Sequence, residues 1–206
     1  AITYLHRFSF KKALKEEYLP IFREEVRVRA SHGFQTKFAY LDLSGDTKIS
    51  WCYSYDGDAE QTEKELEADP AWRAVQEAKA PYVYANDVTR QVIPVLPFIC
   101  STEEHTQGWT TIFRRYYIKR GTWDGFLETW RKIVPLREKY GFHCAFALMD
   151  QEESIFTWGF RYKGAYSDFD SLQKPYYADP DREAQSTVIN YMADFKISNS
   201  VDIIIP

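Results

Sequence analysis

The sequence predicts an α+β protein made of two copies of one βαββαβ unit. Three observations predict it. Residues 3–42 match residues 111–150 when slid by 108 positions, with twelve of 40 positions identical. Aromatic residues make up 17% of the chain and alternate with other residues in short, strand-sized runs. Between those runs, apolar residues recur near helical spacing.

The repeat comes first, because a missed repeat misassigns a whole fold. Identical pairs are Thr3/Thr111, Arg7/Arg115, Lys11/Lys119, Leu19/Leu127, Arg23/Arg131, Val26/Val134, Arg29/Arg137, Gly33/Gly141, Phe34/Phe142, Phe38/Phe146, Ala39/Ala147 and Asp42/Asp150. After a one-residue slip Trp51 meets Trp158 and Tyr55 meets Tyr162. After a small insertion Ala68-Asp69-Pro70 meets Ala178-Asp179-Pro180. The register holds in order, so two units were joined end to end. The expected boundaries are 1–97 for the first unit, 98–109 for a linker and 110–206 for the second.

Each unit reads alike. Tyr4–Phe10 is an aromatic strand. Ala13–Ser31 is a helix, ended by Gly33, which accepts positive φ. Pro20 inside it should bend it or shorten its start. Phe34–Leu41 and Ile49–Tyr55 are strands around Ser44-Gly45-Asp46, a hairpin signal. A second helical region follows, its last part opened by Asp69 as N-cap and Pro70 at the first position. The last strand covers about Tyr82–Val95. The second unit predicts strands at 111–118, 142–149, 155–162 and 201–205, with helices at 122–139, 167–177 and 180–193. This order is the ferredoxin-like split arrangement. Such a unit leaves one sheet face bare. Two units in one chain can close those faces into an intramolecular, pseudo-dimeric α/β barrel whose interior is a packed core or a ligand cavity.

Composition limits the partners. Hydrophobic residues are 45% and charged residues 27% of 206 residues, so the chain should fold. Lys+Arg 26 against Asp+Glu 30 gives a net charge of −4, which argues against nucleic acid as a partner. No stretch reaches 18 apolar residues, so no membrane span is expected. Ala1–Arg7 lacks a basic start and a long apolar run. The three cysteines, Cys52, Cys100 and Cys144, form no CxxC pair, and the expected compartment is the cytoplasm. Four dispersed histidines, His6, His32, His105 and His143, lack metal-ligand spacing, and no metal or cofactor is expected.

Arg114-Arg115-Tyr116-Tyr117-Ile118-Lys119-Arg120-Gly121, Glu138-Lys139-Tyr140-Gly141-Phe142 and Tyr176-Tyr177-Ala178-Asp179-Pro180 carry a family resemblance. With Arg29–Phe34 and Ala68-Asp69-Pro70-Ala71-Trp72 in the first unit, it covers nearly the whole chain. The sequence resembles the dimeric α/β-barrel superfamily, within it the NIPSNAP-like proteins, with antibiotic-biosynthesis-monooxygenase-like proteins as relatives. That resemblance implies a tandem barrel with a small-molecule cavity. Relatives include cofactor-free oxygenases, isomerases, cyclases, dehalogenases and haem proteins, so fold alone does not settle function.

The copies differ where chemistry could sit. The family's Arg-x-Tyr on the first strand is kept as Arg114-x-Tyr116, while the first unit holds His6 and Phe8. Gln35 becomes His143. A histidine exchanges protons near neutral pH. Expected catalytic residues are therefore His6 or His143 for proton transfer, with Arg114 and Tyr116 holding an oxyanion. Tyr4, Phe8, Trp51, Tyr53, Trp158 and Phe160 are the expected substrate contacts. Two readings of these rings stay open: a sheet core packed on helices, or an aromatic-walled pocket. Either sheet face could line the cavity.

The leading expectation is a cofactor-independent enzyme for an apolar or aromatic small molecule, with natural-product metabolism as one setting. Isomerisation, cyclisation, elimination and oxygenation all fit. The rival expectations are a non-catalytic hydrophobic-ligand or haem-binding protein, and a structural protein with a filled interior. A fused pseudo-dimer can act as a monomer or pair again as a homodimer.

Overall fold

The structure, a computed structural model, describes residues 1–42 and 47–205, with 194 and 195 described by backbone alone. The hairpin turn expected at Ser44-Gly45-Asp46 lies outside the described residues. In chain order the elements are β1 (Ile2–Ser9), α1 (Lys15–Ser31), β2 (Gln35–Asp42), β3 (Lys48–Tyr55), α2 (Ala59–Ala68), α3 (Pro70–Lys79) and β4 (Val88–Pro94). There follow β5 (Trp109–Ile118), α4 (Trp123–Lys139), β6 (His143–Asp150), β7 (Ile155–Lys163), α5 (Phe169–Ala178), α6 (Pro180–Glu183) and β8 (Met192–Ile205).

Among the described residues the strands close a barrel in the antiparallel order β1-β3-β2-β8-β5-β7-β6-β4. This is the predicted α+β fold. The chain divides into two compact units, one of Ala1–Val92 with the residues from Asp202 onward, the other of Ile93–Val201. The division falls inside β4 and β8 because both strands change partner along their length. β4 pairs with β1 through Thr3↔Val92 and with β6 through Ile93↔Met149. β8 pairs with β5 through Thr111↔Val201 and with β2 through Leu41↔Asp202.

The helix ends repeat as their sequences do. Gly33 and Gly141 take φ of 91° and 87°. The N–H groups of Phe34 and Phe142 then reach back to the carbonyls of Arg29 and Arg137 at 3.4 and 2.9 Å. These closures fit the left-handed termination that glycine favours. Asp69 and Asp179 cap the helices that follow them, accepting from Ala71 N and Asp181 N. α1 runs through Pro20 and is preceded by a short 3-10 turn at Lys12–Leu14, so the proline falls within the helix rather than delaying its start.

Two segments depart from expectation. The helix expected over 180–193 is one turn of α6 and a 3-10 segment at Ser186–Tyr191. The final strand begins at Met192, nine residues before the expected start of 201. Its polar, unpatterned sequence gives little strand signal. The ladder to β5, from Ile118↔Met192 to Thr111↔Val201, supplies the hydrogen bonds that favour it.

Candidate functional site

In the second unit the helices cover one sheet face. Ile112, Tyr116 and Ile118 of β5, and Phe156, Trp158, Phe160 and Tyr162 of β7, meet Phe126 and Trp130 of α4 and Phe169 of α5. The opposite face carries Phe113 and Phe146, whose rings lie 5.9 Å apart. The helix-facing packing is incomplete. Between β5, β7, α4, α5 and the 186–193 segment lies a cavity of about 870 Å3. This cavity thus sits on the helix-covered face of one unit, one of the two sheet faces the sequence left open. Its walls include Tyr116, Phe126, Trp130 and Trp158. Both indole nitrogens, Trp130 Nε1 and Trp158 Nε1, are buried with no hydrogen-bond partner.

Two arginines form the floor. Arg114 reaches the cavity from β5 and donates from Nε to Ser198 Oγ at 3.0 Å. Its Cζ lies 5.2 Å from the centroid of Phe160. Arg137 comes from the last turn of α4, where the Gly141-Phe142 closure holds it. It donates to Gln173 Oε1 at 2.8 Å and to the Tyr177 hydroxyl at 3.3 Å. Its Cζ stacks 4.0 Å from the centroid of Tyr176. Burial lowers the pKa of Arg137, and Arg114 adds to that. Burial also works against the charge on Arg114, but Tyr116 and Tyr177 outweigh it and raise its pKa.

Lys119, Arg182 and Lys196 complete the lining cations among the described residues, and no described Asp or Glu lines the cavity. Tyr177 feels this field directly. Burial pushes its pKa up, but Arg137, Arg114, Lys196 and Arg182 together bring it below the ordinary tyrosine value. The arrangement therefore offers an apolar aromatic slot, free N–H donors, positive potential and a phenol biased toward phenolate. No histidine or cysteine lines it, so a haem iron would find neither as an axial ligand there. No cluster of metal-ligating side chains occurs among the described residues.

In the first unit the matching positions pack ring against ring. Tyr4, His6, Phe8, Trp51 and Tyr53 lie together on the helix-facing side, with Tyr4–Tyr53 at 5.6 Å, His6–Phe8 at 5.1 Å and His6–Trp51 at 6.0 Å between ring centroids. Phe22 closes the cluster edge-on against Trp51. His6 is buried, and that burial lowers its pKa although Glu25 opposes the shift. Its Nε2 stands 3.5 Å from Asp87 Oδ2 without forming a hydrogen bond. These first-unit residues do not line the second-unit cavity.

His143 does not line it either. It is the first residue of β6, half-exposed, with Nδ1 2.6 Å from Glu138 Oε2. This contact with Glu138 holds it at the surface, apart from Arg114 and Tyr116. Of the expected set, Arg114, Tyr116 and Trp158 line the cavity, and Phe160 packs beneath Arg114. Sequence reasoning missed Trp130, Arg137, Tyr177, Arg182 and Lys196. The signal for Arg137 was its identity with Arg29 in the repeat. Lys196 lay in a segment expected to be loop.

No protein-family model matches the chain. No curated protein matches it either. Solved structures share its fold. A protein of Fusobacterium nucleatum provisionally named a monooxygenase superposes with a TM-score of 0.70 at 13% identity, over 99% of this chain and 92% of that one. A second provisional monooxygenase, from Lactobacillus acidophilus, gives 0.66 at 9% identity, over 99% and 94% of the two chains. An anthrone oxidase-like protein gives 0.64 at 12% identity, over 98% and 90%. The likeness to these structures is one of fold, over nearly the whole chain. Among the described residues no helix is long and apolar enough to cross a membrane.

Proposed function

We propose that the second unit holds the active site of an oxygenase-type enzyme acting on an aromatic small molecule with an acidic C–H or O–H group. The observation that carries this reading is the pair of buried, unpartnered indole N–H groups on the wall of an aromatic cavity of about 870 Å3. A buried donor without a partner carries a desolvation cost, which a substrate oxygen would relieve. The monooxygenase and anthrone oxidase-like names of the structural neighbours agree with it.

The chemistry follows from the lining. Tyr177, as phenolate, takes a proton from the substrate's acidic carbon. Trp130, Trp158 and Arg114 stabilise the resulting enolate oxygen. The carbanion gives its electrons to dioxygen and a C–O bond forms. The peroxide anion takes up a proton, and the resulting hydroperoxide loses water, leaving a carbonyl where a CH2 stood. The electrons come from the substrate, so no flavin or metal is needed. His6, in the first unit, has no part in these steps.

The test is oxygen uptake with anthrone as probe and no added cofactor. Expected is uptake well above the uncatalysed rate, with Trp158→Phe lowering kcat by about 10²- to 10³-fold, the range for loss of an oxyanion donor. Uptake at the background rate, or unchanged kcat in Trp158→Phe, overturns the reading.

A further inference from the structure

We infer that the substrate carries a carboxylate, and that this anion is the missing counter-charge of Arg137 and Arg114. The inference rests on the second-unit cavity being the substrate site. It is drawn from a difference between the two copies. α2 starts at 59 and α5 at 169, so Glu63 and Gln173 occupy matching positions. In the first unit Arg29 is ion-paired with Glu63. In the second unit Arg137, the copy of Arg29, meets Gln173 instead, at 2.8 Å. The arginine is kept and its carboxylate has become an amide of the same shape.

A buried guanidinium without a counter-ion is costly, and removing one partner of a buried pair is strongly destabilising. Arg137 is 2% exposed and Arg114 6%. Their hydrogen bonds among the described residues reach no carboxylate: they go to Gln173 and the Tyr177 oxygen for Arg137, and to Ser198 for Arg114. Arg137 Nε has no partner. Among the described residues five cations and no carboxylate line the cavity of a chain whose net charge is −4, so the positive excess among them is local. A planar guanidinium matches a carboxylate in shape as well as charge. The enolate of the reaction exists only transiently, so a permanent anion on the substrate is what compensates the resting site.

The test compares anthracene-9-carboxylate with the neutral 9-anthracenemethanol, titrated by fluorescence into the full chain. The carboxylate should bind at least about tenfold tighter, the usual worth of a hydrogen bond to a charged group. Gln173→Glu supplies the internal counter-ion and should cut carboxylate affinity by about tenfold, with the alcohol unaffected and the melting temperature not lowered. If that variant fails to fold, Arg114→Gln should cause the same selective loss. Equal binding of acid and alcohol by the wild type, or a preference undiminished in a folded variant, overturns the inference but leaves the aromatic site standing. Binding of neither probe overturns both.

Discussion

The indole N–H of Trp51 donates to Thr36 Oγ1 at 3.0 Å. The matching pair in the second unit is Trp158 and Cys144, and there the indole nitrogen is buried without a partner. A thiol is a weak acceptor. Cys144 is turned toward Phe146 O, 3.7 Å from Sγ, and burial pushes its pKa up to about 12. One substitution thus closes the donor in the first unit and leaves it open in the second. Cys144→Thr should restore the bond, raise stability by about 1 kcal/mol and lower kcat/KM. Urea unfolding and steady-state kinetics on the same preparation check it. A more stable variant with unchanged kinetics would show that Trp158 N–H does not reach the substrate.

Tyr177 sets the expected pH dependence. Its pKa lies below the ordinary value of about 10 because four cations favour the phenolate. A phenolate base gives a rate that rises with pH and levels off above that pKa. Lys196→Met removes one of those cations, so the phenolate loses support and the rising limb should move to higher pH. Tyr177→Phe should lower kcat by about 10²- to 10⁴-fold and remove the limb. A pH profile unchanged in Lys196→Met would exclude Tyr177 as the titrating group.

Asp179 should govern part of the acid stability of the second unit. It accepts from the Tyr140 hydroxyl at 2.6 Å, Lys139 Nζ at 2.9 Å and Asp181 N at 2.8 Å. The Tyr140 bond leads, followed by Lys139, in holding its pKa down to about 2. An unfolded aspartate titrates near 3.9. The carboxylate's contribution is therefore complete above about pH 4 and is lost as pH falls toward about 2. Asp179→Asn should lower stability at pH 7 and flatten the stability curve between those pH values. Chemical denaturation across that range measures the change, and parallel curves for the two proteins would contradict it.

The repeat made the element order legible, and the helix ends were legible because Gly-Phe and Asp-Pro carry local geometry. The sheet faces were not. Both faces of β5 are apolar, with Ile112 and Tyr116 on one and Phe113 on the other, so alternation alone assigns neither. A bulge at matching places, between Thr36 and Phe38 and between Cys144 and Phe146, also interrupts the alternation of β2 and β6. His143 drew attention as a titratable side chain, but its partner Glu138 lies on the preceding helix end, and sequence gives no sign of that surface pairing. The missing partners of Arg137 and of the Trp158 indole go with Gln173 and Cys144 standing where the first unit has Glu63 and Thr36. That contrast is readable only once the two units are paired residue by residue.

Gly159 is the remaining position where the copies part in a testable way. It follows Trp158 on β7 and faces away from the cavity. A Cβ there would stand 2.4 Å from Phe146 Cε1 and 3.1 Å from the Ile112 carbonyl oxygen. The first contact is with a ring and the second with backbone, so relief must come from Phe146. Gly159→Ala should cost about 1–3 kcal/mol, the range for overpacking. Phe146→Leu removes the clashing ring atoms, so the double variant should recover part of the loss beyond additivity. The kinetic consequence separates packing from chemistry. Gly159→Ala displaces the strand that carries Trp158, so kcat should fall in the single variant and return in the double one, with unfolding and turnover compared at one temperature. Recovery of stability without recovery of kcat would mean that Trp158 is not held in place by this contact.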